Sequence, residues 1–482
     1  MEIRKILLIH PPFPKNLEHG TISRFGRNLY PPLGLCYVAA TLEKEGYKVK
    51  IIDSFAENNS LNKIVQQCVS YQPDIIGITS FTGNFNLSVD LGSRLRKVGF
   101  LVVFGGVHPS LKPYESLQRK AADYVVVGEG EPTVVELLDA LSKNRDLSTV
   151  KGIAYLDGNK IKINQPRKLL ENLNILPFPA LHLVDLTIYK PSSVTYKNKP
   201  VFSVITSRGC PYDCSFCLSK KIWGGICRKW SVQHIIYQID MLVKKYSAKE
   251  IAFVDDNFAV DHKWVEEFCK MLIAKKMTIT WSCFTRVDNV NERILRIMKQ
   301  AGCYRVLFGI ESLEQTDLDF LNKMTTLKQI ENAMRLTKKV GLETTTHYIL
   351  GLPNENPQKV KKLVKKISAF RSEFVKFNLM TPYPGTKLYD KIISGKFGKI
   401  EDNMDFYDTL FPAFIPNGYT SKKDLMITRD QAYRQYYLRI GYVIQMLGSL
   451  RCFDDAKRLF RIARQLFASN TKHKLLAANI TS

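Results

Sequence analysis

In the first 145 residues, short apolar runs alternate with segments whose apolar positions recur every three to four residues. The helical segments include Leu35–Gly46 and Thr133–Ser142. The runs that predict strands are Ile6–His10, Val49–Asp53, Ile75–Thr79, Leu101–Gly105 and Tyr124–Gly128. Apolar strands that alternate with helices predict a parallel sheet covered by helices on both faces. We therefore predict that residues 1–145 form a doubly wound, Rossmann-like α/β domain.

Residues 146–195 break this alternation. The turn sequence Asp157-Gly158-Asn159 separates two short strand patterns, Gly152–Leu156 and Lys160–Ile163, and predicts a β-hairpin. Prolines at positions 177, 179 and 191 then interrupt any regular period. We interpret this stretch as a linker that contains one hairpin.

Strand and helix patterns alternate again between residues 196 and 390. Helical patterns such as Ser231–Tyr246 and Pro357–Phe370 separate six apolar runs. The six predicted strands are Val201–Ser207, Glu250–Val254, Ile279–Phe284, Arg305–Ile310, Thr344–Leu350 and Val375–Leu379. Because a full barrel of this type has eight β/α units, the pattern predicts a partial (β/α)6 TIM barrel.

Residues 391–482 are interpreted as a helical, basic C-terminal segment. Arg429–Phe467 has a long helical pattern, and ten basic but only three acidic residues lie between Arg429 and Lys474. An apolar stripe at helical spacing contains Tyr433, Tyr436, Tyr437, Ile440 and Ile444. Two interpretations stay open: the stripe packs on the barrel, or a basic amphipathic face lies near lipid.

Charge and hydropathy narrow the class of protein. The net charge of +25 suits nucleic acid, anionic lipid or an acidic substrate, but no nucleic-acid-binding motif accompanies it, so nucleic-acid binding is not expected. No uncharged apolar run reaches roughly 18 residues, which argues against a transmembrane helix. The apolar run near the N-terminus ends at His10-Pro11-Pro12 and is too short for a signal peptide. We expect a cytoplasmic protein.

Three of the ten cysteines are clustered. Cys210, Cys214 and Cys217 have the spacing C-x3-C-x2-C, and thiolates are soft ligands for zinc and iron–sulfur clusters. A zinc site normally needs four ligands, and no fourth Cys or His lies at a suitable spacing. Three thiolates on one loop hold three irons of a cubane and leave the fourth iron open for a substrate or cofactor. A 4Fe–4S cluster with an open iron is therefore predicted.

This loop resembles the radical S-adenosylmethionine (SAM) superfamily in its cysteine spacing, in Gly209-Cys210-Pro211 and in the aromatic Phe216 before the third cysteine. Its position after the first barrel strand agrees with that family. The resemblance implies that the amino and carboxylate groups of SAM chelate the open iron. It also implies that the reduced cluster cleaves SAM to methionine and a 5′-deoxyadenosyl radical, and that Phe216 lines the adenine site.

Motifs of the same family follow the later strands. By resemblance, Asp255 or Asp256 binds the SAM ammonium and Arg286 meets its carboxylate, although helix capping is the alternative role of the two aspartates. Glu311 accepts from the ribose hydroxyls, and the Gly351-x-x-x-Glu355 segment supports adenine. All these positions are carboxyl ends of strands, where such barrels place their active sites.

Glycine-containing segments of the N-terminal domain resemble the cobalamin-binding domains that accompany radical SAM barrels. Glycines after strands let the backbone approach a ligand closely, and ligands lie at the carboxyl ends of strands in doubly wound sheets. By this resemblance the domain binds cobalamin. The predicted cobalamin-binding residues are Ser80, Thr82, Gly105, Gly106, Gly128 and Glu129.

The N-terminal domain departs from base-off cobalamin domains in one motif. Those domains carry Asp-x-His-x-x-Gly after the first strand, with the His bound to cobalt, whereas this chain continues with His10-Pro-Pro-Phe-Pro. The cobalt is therefore expected to lack a protein ligand on its lower face, or to take His10 or His108. An ordinary loop histidine is the alternative interpretation of both.

The two resemblances together favour a cobalamin-dependent radical SAM methyltransferase that acts on an unactivated carbon. An oxidative cyclase of tetrapyrrole synthesis, or a carbon–carbon bond-forming enzyme of lipid synthesis, is the alternative. A redox sensor or nucleic-acid-binding protein with a structural cluster is disfavoured by the open iron and the aligned SAM motifs. A zinc site is disfavoured by the missing fourth ligand. The expected partners are a small-molecule or lipid-like substrate, an electron donor such as flavodoxin or ferredoxin and, through the basic C-terminal helix, a membrane surface.

Overall fold

The computed structural model describes residues 2–14, 29–192 and 195–447, and the chain divides into two compact units. The first unit comprises Met1–Pro14 and Leu29–Lys190, and the second contains the chain from Pro191 onward. Within the described ranges, no helix is both long enough and apolar enough to cross a membrane.

Seven strands form the sheet of the first unit: β1 (Lys5–His10), β2 (Lys48–Asp53), β3 (Ile75–Thr79), β4 (Leu101–Gly105), β5 (Tyr124–Val126), β6 (Ile153–Asp157) and β7 (Lys160–Ile163). The helices are α1 (Leu33–Lys44), α2 (Ser54–Glu57), α3 (Leu61–Tyr71), α4 (Phe85–Val98), α5 (Val107–Leu111), α6 (Glu115–Gln118) and α7 (Gly130–Ser142). The order is β2-β1-β3-β4-β5-β6-β7, and β1 to β5 are parallel. All residues of β1 after Lys5 are buried, as in a strand covered on both faces. The predicted doubly wound fold is confirmed.

The predicted hairpin belongs to this sheet and not to a separate linker. β6 pairs antiparallel with β5, with Ile153 opposite Val126, and β7 pairs with β6. Ile153, Ala154 and Tyr155 are buried, because pairing with the free edge of β5 removes their side chains from water. The chain therefore does not divide at residue 145, since the first unit continues to Lys190. A local strand pattern predicts a strand but not its partner.

The second unit has strands β8 (Val201–Val204), β9 (Ser207–Arg208), β10 (Arg228–Lys229), β11 (Glu250–Phe253), β12 (Thr280–Thr285), β13 (Cys303–Glu311), β14 (Glu343–Leu350), β15 (Phe374–Leu379), β16 (Gly398–Ile400) and β17 (Phe414–Pro416). Its helices are α8 (Ser219–Trp223), α9 (Val232–Tyr246), α10 (His262–Ala274), α11 (Glu292–Gln300), α12 (Gln315–Phe320), α13 (Leu327–Val340), α14 (Pro357–Ala369), α15 (Lys387–Ile392), α16 (Lys422–Tyr437) and α17 (Ile440–Leu447). Six parallel strands, in the order β8-β11-β12-β13-β14-β15, form a curled sheet. The predicted partial (β/α)6 barrel is confirmed.

Polar residues fix the starts of the barrel helices. Ser231, Asn291 and Asn356 precede α9, α11 and α14, and each side chain accepts from the backbone N–H three residues later. Such a cap satisfies one of the N–H groups that the first turn leaves unpaired. Pro357 follows Asn356 at the first helical position, where its fixed backbone angle suits the helix.

The predicted strand Val201–Ser207 is interrupted in the structure. Pairing with β11 ends at Val204, and β9 pairs antiparallel with β10 instead. At the break, the backbone N–H of Thr206 donates to the Asp255 carboxylate at 3.0 Å, in place of a strand neighbour. The cysteine loop begins directly after this break.

Tyrosine side chains cover the outer edge of the barrel sheet. β15 ends the described sheet, so one row of its backbone groups lacks a strand partner. Tyr437 Oη accepts from Val375 N at 2.8 Å and donates to Val375 O at 2.9 Å, and Tyr433 Oη accepts from Phe377 N at 3.0 Å. Tyr436 is buried beside them. These three tyrosines of the predicted stripe therefore pack on the barrel.

The helix predicted over Arg429–Phe467 is not continuous. α16 ends at Tyr437 and α17 begins at Ile440, and Ile440 and Ile444 are 78% and 64% exposed. The remainder of the basic segment, from residue 448 onward, lies outside the described residues.

Tyr437→Phe is expected to lower the free energy of unfolding by about 1–3 kcal/mol, since it leaves a buried N–H and C=O of Val375 unpaired. Urea denaturation measures the change. Tyr237→Phe, at a tyrosine that is 63% exposed, is the control and should alter stability little. Equal effects of the two changes would show that the hydroxyl does not stabilise the edge of β15.

Candidate active site

The cysteine loop lies between β9 and α8. Cys210, Cys214 and Cys217 all line one cavity of about 310 Å³ in the second unit. Gly209, directly before them, has a φ of +90°, and a Cβ there would lie 2.2 Å from the carbonyl oxygen of Ile226. Only glycine fits this position, which explains why it precedes the first cysteine.

The donor set of the loop fits an iron–sulfur cluster. Desolvation raises the pKa of the Cys210 and Cys214 thiols, while the nearby Lys323 and Arg286 oppose that rise at Cys214. Iron binds the thiolate form, so cluster binding must release protons. The positive charges of Lys323 and Arg286 favour the thiolate at Cys214. Among the described residues, no three His, Cys, Asp or Glu side chains converge on one metal position. The three sulfurs line the wall of one cavity, where they would hold the cluster.

The cavity lies between this loop and the carboxyl ends of β12 to β15. Its wall contains hydrophobic, aromatic and charged side chains, as small-molecule sites commonly do. The residues predicted for SAM that line it are Phe216, Asp256, Arg286 and Glu311. The structure thus brings four of the seven predicted SAM residues together with the three cysteines.

Asp255 holds the end of β8 and does not line this cavity. Its Oδ1 accepts from Thr206 N at 3.0 Å and from Thr206 Oγ1 at 2.8 Å, and it also accepts from Ser207 Oγ. Burial raises the pKa of its carboxyl. Asp256 does line the cavity and accepts from Ser219 Oγ at 2.6 Å. Neither aspartate caps α10, since Asp261 has that role.

Arg286 is engaged by groups of the protein. Its Nε and Nη2 each donate to Asp288 at 2.9 Å, Nη2 donates to the Lys323 carbonyl at 2.6 Å, and Nη1 donates to Cys214 Sγ at 3.4 Å. The guanidinium also lies 3.7 Å from the centre of the Tyr212 ring. These contacts favour a role in fixing the cysteine loop.

In the first unit, five predicted cobalamin-binding residues lie at one edge of the sheet. Ser80 and Thr82 follow β3, Gly105 and Gly106 lie at the end of β4, and Gly128 follows β5. Because β3, β4 and β5 are neighbouring parallel strands, these residues lie at adjacent carboxyl ends. Such an edge is where doubly wound sheets bind ligands.

Glu129 and His108 are held by other groups of the same unit. Glu129 Oε2 accepts from Leu170 N at 2.7 Å. His108 pairs through Nδ1 with Thr82 Oγ1 at 3.3 Å and through Nε2 with Glu115 Oε2 at 3.1 Å. Because both ring nitrogens are in use, His108 has no lone pair available for a metal in this conformation.

Two family models match the chain. The B12 binding domain family matches residues 26–138, and the radical SAM superfamily matches residues 204–367. An uncharacterised methyltransferase of Pyrococcus horikoshii is 34% identical over 448 residues, which cover 92% of this chain and 95% of that protein. The chain belongs to the cobalamin-binding radical SAM enzymes.

Another relative and a solved structure support the family and the fold of this cobalamin-binding radical SAM enzyme. The anaerobic magnesium-protoporphyrin IX monomethyl ester cyclase of Rubrivivax gelatinosus is 27% identical, over 91% of this chain and 78% of that protein. A solved structure of the radical SAM methyltransferase TsrM from Kitasatospora setae has cobalamin and a 4Fe–4S cluster bound. It is similar to this chain with a TM-score of 0.70 at 15% identity, and the match covers 98% of this chain and 100% of that chain. This likeness supports the fold. The cofactors of this enzyme are a 4Fe–4S cluster, SAM and cobalamin.

Lys323 is a cavity residue of this radical SAM enzyme that the sequence pattern did not indicate. Its Nζ lies 2.9 Å from Glu311 Oε1 and 5.9 Å from the centre of the Phe216 ring. Glu311 has a φ of +70° at a register shift in β13, a strained geometry of the kind found at functional sites. An ammonium and a carboxylate therefore lie side by side at the cavity wall. Lys323 follows α12 and not a strand, so a search of strand ends misses it.

His347 is a second cavity residue that the sequence did not reveal. It lies inside β14, opposite Gly309 of β13, and burial lowers its pKa to about 3. Its Nε2 has no hydrogen-bond partner in the described part of the chain. The imidazole is thus neutral at ordinary pH and offers the cavity a polar group without adding charge.

Glu355 is buried, supports Gly351 through a hydrogen bond and does not line the cavity. Its Oε1 accepts from Gly351 N at 2.7 Å and from Tyr419 Oη at 2.8 Å. Gly351 also lies outside the set of cavity-lining residues. Within the predicted Gly-x-x-x-Glu segment, Glu355 therefore holds the turn after β14 through Gly351, and neither residue contributes to the cavity wall.

Glu355→Gln is expected to change how stability depends on pH. Burial raises the pKa of Glu355 from 4.5 to about 7. Between these values the folded state holds a proton that the unfolded state has lost, so the free energy of unfolding falls as pH rises through this window. The glutamine removes that decline and keeps an oxygen acceptor for Gly351. Urea midpoints across the window measure it, and parallel profiles for variant and wild type would contradict the burial of an ionisable carboxyl.

Proposed function

We propose that this radical SAM enzyme transfers a methyl group, carried by cobalamin, from SAM to an unactivated carbon. The observation that carries the proposal is the 34% identity to a methyltransferase over nearly the full length of both chains. The second candidate function is oxidative cyclisation of a tetrapyrrole, which the 27% identity to the cyclase supports.

The proposed cluster ligands are Cys210, Cys214 and Cys217, which supply three soft thiolates from one loop at the cavity wall. The cluster, when bound, supplies the electron that cleaves SAM. Phe216 offers an aromatic face to adenine, and Asp256 offers a carboxylate to the SAM ammonium.

We assign the SAM carboxylate to Lys323 rather than to Arg286. The Arg286 guanidinium is already paired with Asp288 in a bidentate contact. A lysine ammonium has three donors, and Glu311 accepts from one of them. Lys323 therefore has donors for a ligand carboxylate, while Glu311 keeps a second oxygen for ribose hydroxyls.

The substrate is proposed to be a small or lipid-like molecule, and the electron donor an external flavodoxin or ferredoxin in the cytoplasm. The exposed apolar residues Ile440, Val443 and Ile444 of α17 support contact with a membrane surface that holds such a substrate. Flotation of the purified enzyme with lipid vesicles measures this contact. An enzyme that does not float with the vesicles would show that α17 does not bind a membrane surface.

Isotope tracing separates methyl transfer from cyclisation. The enzyme is loaded anaerobically with cluster and reduced cobalamin and then given SAM with a deuterated methyl group. Methyl transfer predicts that the deuterated methyl group appears in the recovered cobalamin. Cobalamin that stays bound but unlabelled would overturn methyl transfer and favour the cyclase.

A further inference from the structure

α15 packs directly against the cysteine loop. Leu388 N of α15 donates to Ser215 O at 2.8 Å, and Ser215 follows the proposed cluster ligand Cys214 in the chain. Leu388 and Leu321 are buried in one apolar cluster, against which Phe216 packs. One hydrogen bond and one residue therefore connect α15 with Cys214.

Two exposed lysines hold the same loop through one carboxylate. Lys220 Nζ of α8 and Lys387 Nζ of α15 lie 2.9 Å and 2.5 Å from Asp213 Oδ2, one residue before Cys214. The two lysine side chains are 48% and 60% exposed. Because exposed ion pairs contribute little to stability, stability alone does not explain two lysines on one aspartate.

Two further lysines of this surface lie against aromatic rings. Lys391 is four residues after Lys387, on the same face of α15, and its Nζ lies 5.1 Å from the centre of the Phe320 ring. Lys396 Nζ lies 5.8 Å from the centre of the Phe397 ring, and the two rings are 5.6 Å apart. Contacts therefore join all four lysines into one surface, and aromatic rings of this kind are enriched in protein interfaces. We call the four residues the basic surface: Lys220, Lys387, Lys391 and Lys396.

The basic surface carries a net positive charge. Residues 210–223 and 387–396 contain five lysines and two aspartates, and one of these aspartates, Asp213, is shared by two lysines. Lys391 Nζ donates to the Phe320 carbonyl, a neutral acceptor, at 3.2 Å. A positive surface attracts a negatively charged partner and increases its rate of association. The partner that this surface fits is therefore acidic.

The position of the basic surface indicates what such a partner supplies. The surface lies over the cysteine loop, and a cluster that cleaves SAM reductively must receive an electron. Encounters between redox proteins are weak and bury little area, and charge directs them. Nucleic acid and anionic lipid also suit positive charge, but neither delivers an electron to the loop.

We propose that an acidic one-electron carrier protein docks on the basic surface and reduces the cluster through α15 and the cysteine loop. The carrier is oxidised by one electron and the cluster is reduced by the same electron, so no bond breaks and no further reactant is needed. The inference rests on the proposed cluster ligands and external donor. It is independent of whether a methyl group is transferred.

Anaerobic stopped-flow spectroscopy of the full-length protein, with its cluster reconstituted, tests the surface. It measures the second-order rate constant for reduction of the cluster by reduced flavodoxin and by reduced ferredoxin, both acidic proteins. Lys387→Gln/Lys391→Gln is expected to lower this constant by about 10-fold at low salt, because charge complementarity raises association rates by about 10- to 1000-fold. The difference should shrink at about 1 M salt, where the Debye length is about 3 Å.

Lys362→Gln/Lys366→Gln on α14 is the matched control. Its two lysines are also exposed and four residues apart, and Lys366 pairs with Glu314 as Lys387 pairs with Asp213. Both double variants lower the net charge by two, but the control should keep the wild-type rates. Dithionite, a small reductant that needs no docking surface, should reduce all three proteins equally fast.

Equal slowing in the two double variants would show that total charge sets the rate and would overturn the proposal. Wild-type rates in the α15 variant, or a wild-type cluster that dithionite reduces and neither carrier does, would also overturn it. An α15 variant that dithionite no longer reduces would show that the lysines hold the cluster loop and dock nothing.

Two further outcomes separate this proposal from others. Unchanged carrier rates, combined with loss of RNA or anionic-vesicle binding in the α15 variant, would assign the basic surface to a polyanion instead. Failure of the wild-type protein to assemble a cluster would overturn the cluster ligands, and the docking surface with them. Methyl transfer is judged separately, by the label in the recovered cobalamin.

Discussion

Cys214→Ala is expected to abolish SAM cleavage while the protein stays folded. A three-cysteine site loses one iron ligand, and the remaining two thiolates cannot hold three irons of a cubane. Cys214 lies at the cavity wall and is only partly exposed, and its sulfur accepts from Arg286 Nη1 at 3.4 Å. The anaerobic assay for 5′-deoxyadenosine should fall to the background of the apoprotein, and bound iron should fall with it.

Cys227→Ala is the matched control for this change. Cys227 is also a partly exposed free cysteine near the loop, but it does not line the cavity. It should keep both the cluster and SAM cleavage. Cleavage that survives in Cys214→Ala, or is lost equally in both variants, would contradict the assignment of the three cluster cysteines.

Lys323→Met is expected to weaken SAM binding by about 10- to 100-fold, because a hydrogen bond to a charged group typically contributes about 1.5–3 kcal/mol. The proposed partner is the SAM carboxylate, and Lys323 is the cavity cation that is not already paired in a bidentate contact. Equilibrium binding of SAM to the cluster-loaded enzyme measures the change, and Lys323→Arg should recover part of it.

The same change leaves the Glu311 carboxylate without its partner at the cavity wall, which costs stability independently of SAM. The double variant Lys323→Met/Glu311→Gln removes both charges, and its comparison with Glu311→Gln alone isolates the loss of the cation. Lys366→Met, at a half-exposed lysine paired with Glu314, is the surface control. A double variant that binds SAM as tightly as Glu311→Gln does would show that Lys323 does not bind the carboxylate.

The elements that sequence predicted best are those whose signal is local. The bounds predicted for Ile75–Thr79 and Leu101–Gly105 are those observed, because each strand is a short, mostly apolar run that ends on a threonine or a glycine. The cysteine loop is equally local, since the spacing of its three cysteines is a property of one short segment.

Contacts between distant segments were not predictable in this way. Asp255 and Asp256 are adjacent, and successive side chains of an extended chain point to opposite sides, so the sequence could not choose which one lines the cavity. Lys323 and Glu311 meet across a helix, and the Tyr437 hydroxyl reaches a strand edge 62 residues away. Each of these contacts depends on the assembled barrel and leaves no periodic signal in the chain.

The measurement that tests the radical SAM account most directly is the analysis of SAM products under anaerobic conditions. The wild-type enzyme, with its cluster reconstituted and cobalamin bound, is incubated with SAM and a strong reductant, and 5′-deoxyadenosine and S-adenosylhomocysteine are quantified by mass spectrometry. We predict that 5′-deoxyadenosine and methionine form, and that neither forms without the reductant. A fully loaded cluster that yields no 5′-deoxyadenosine would contradict the account.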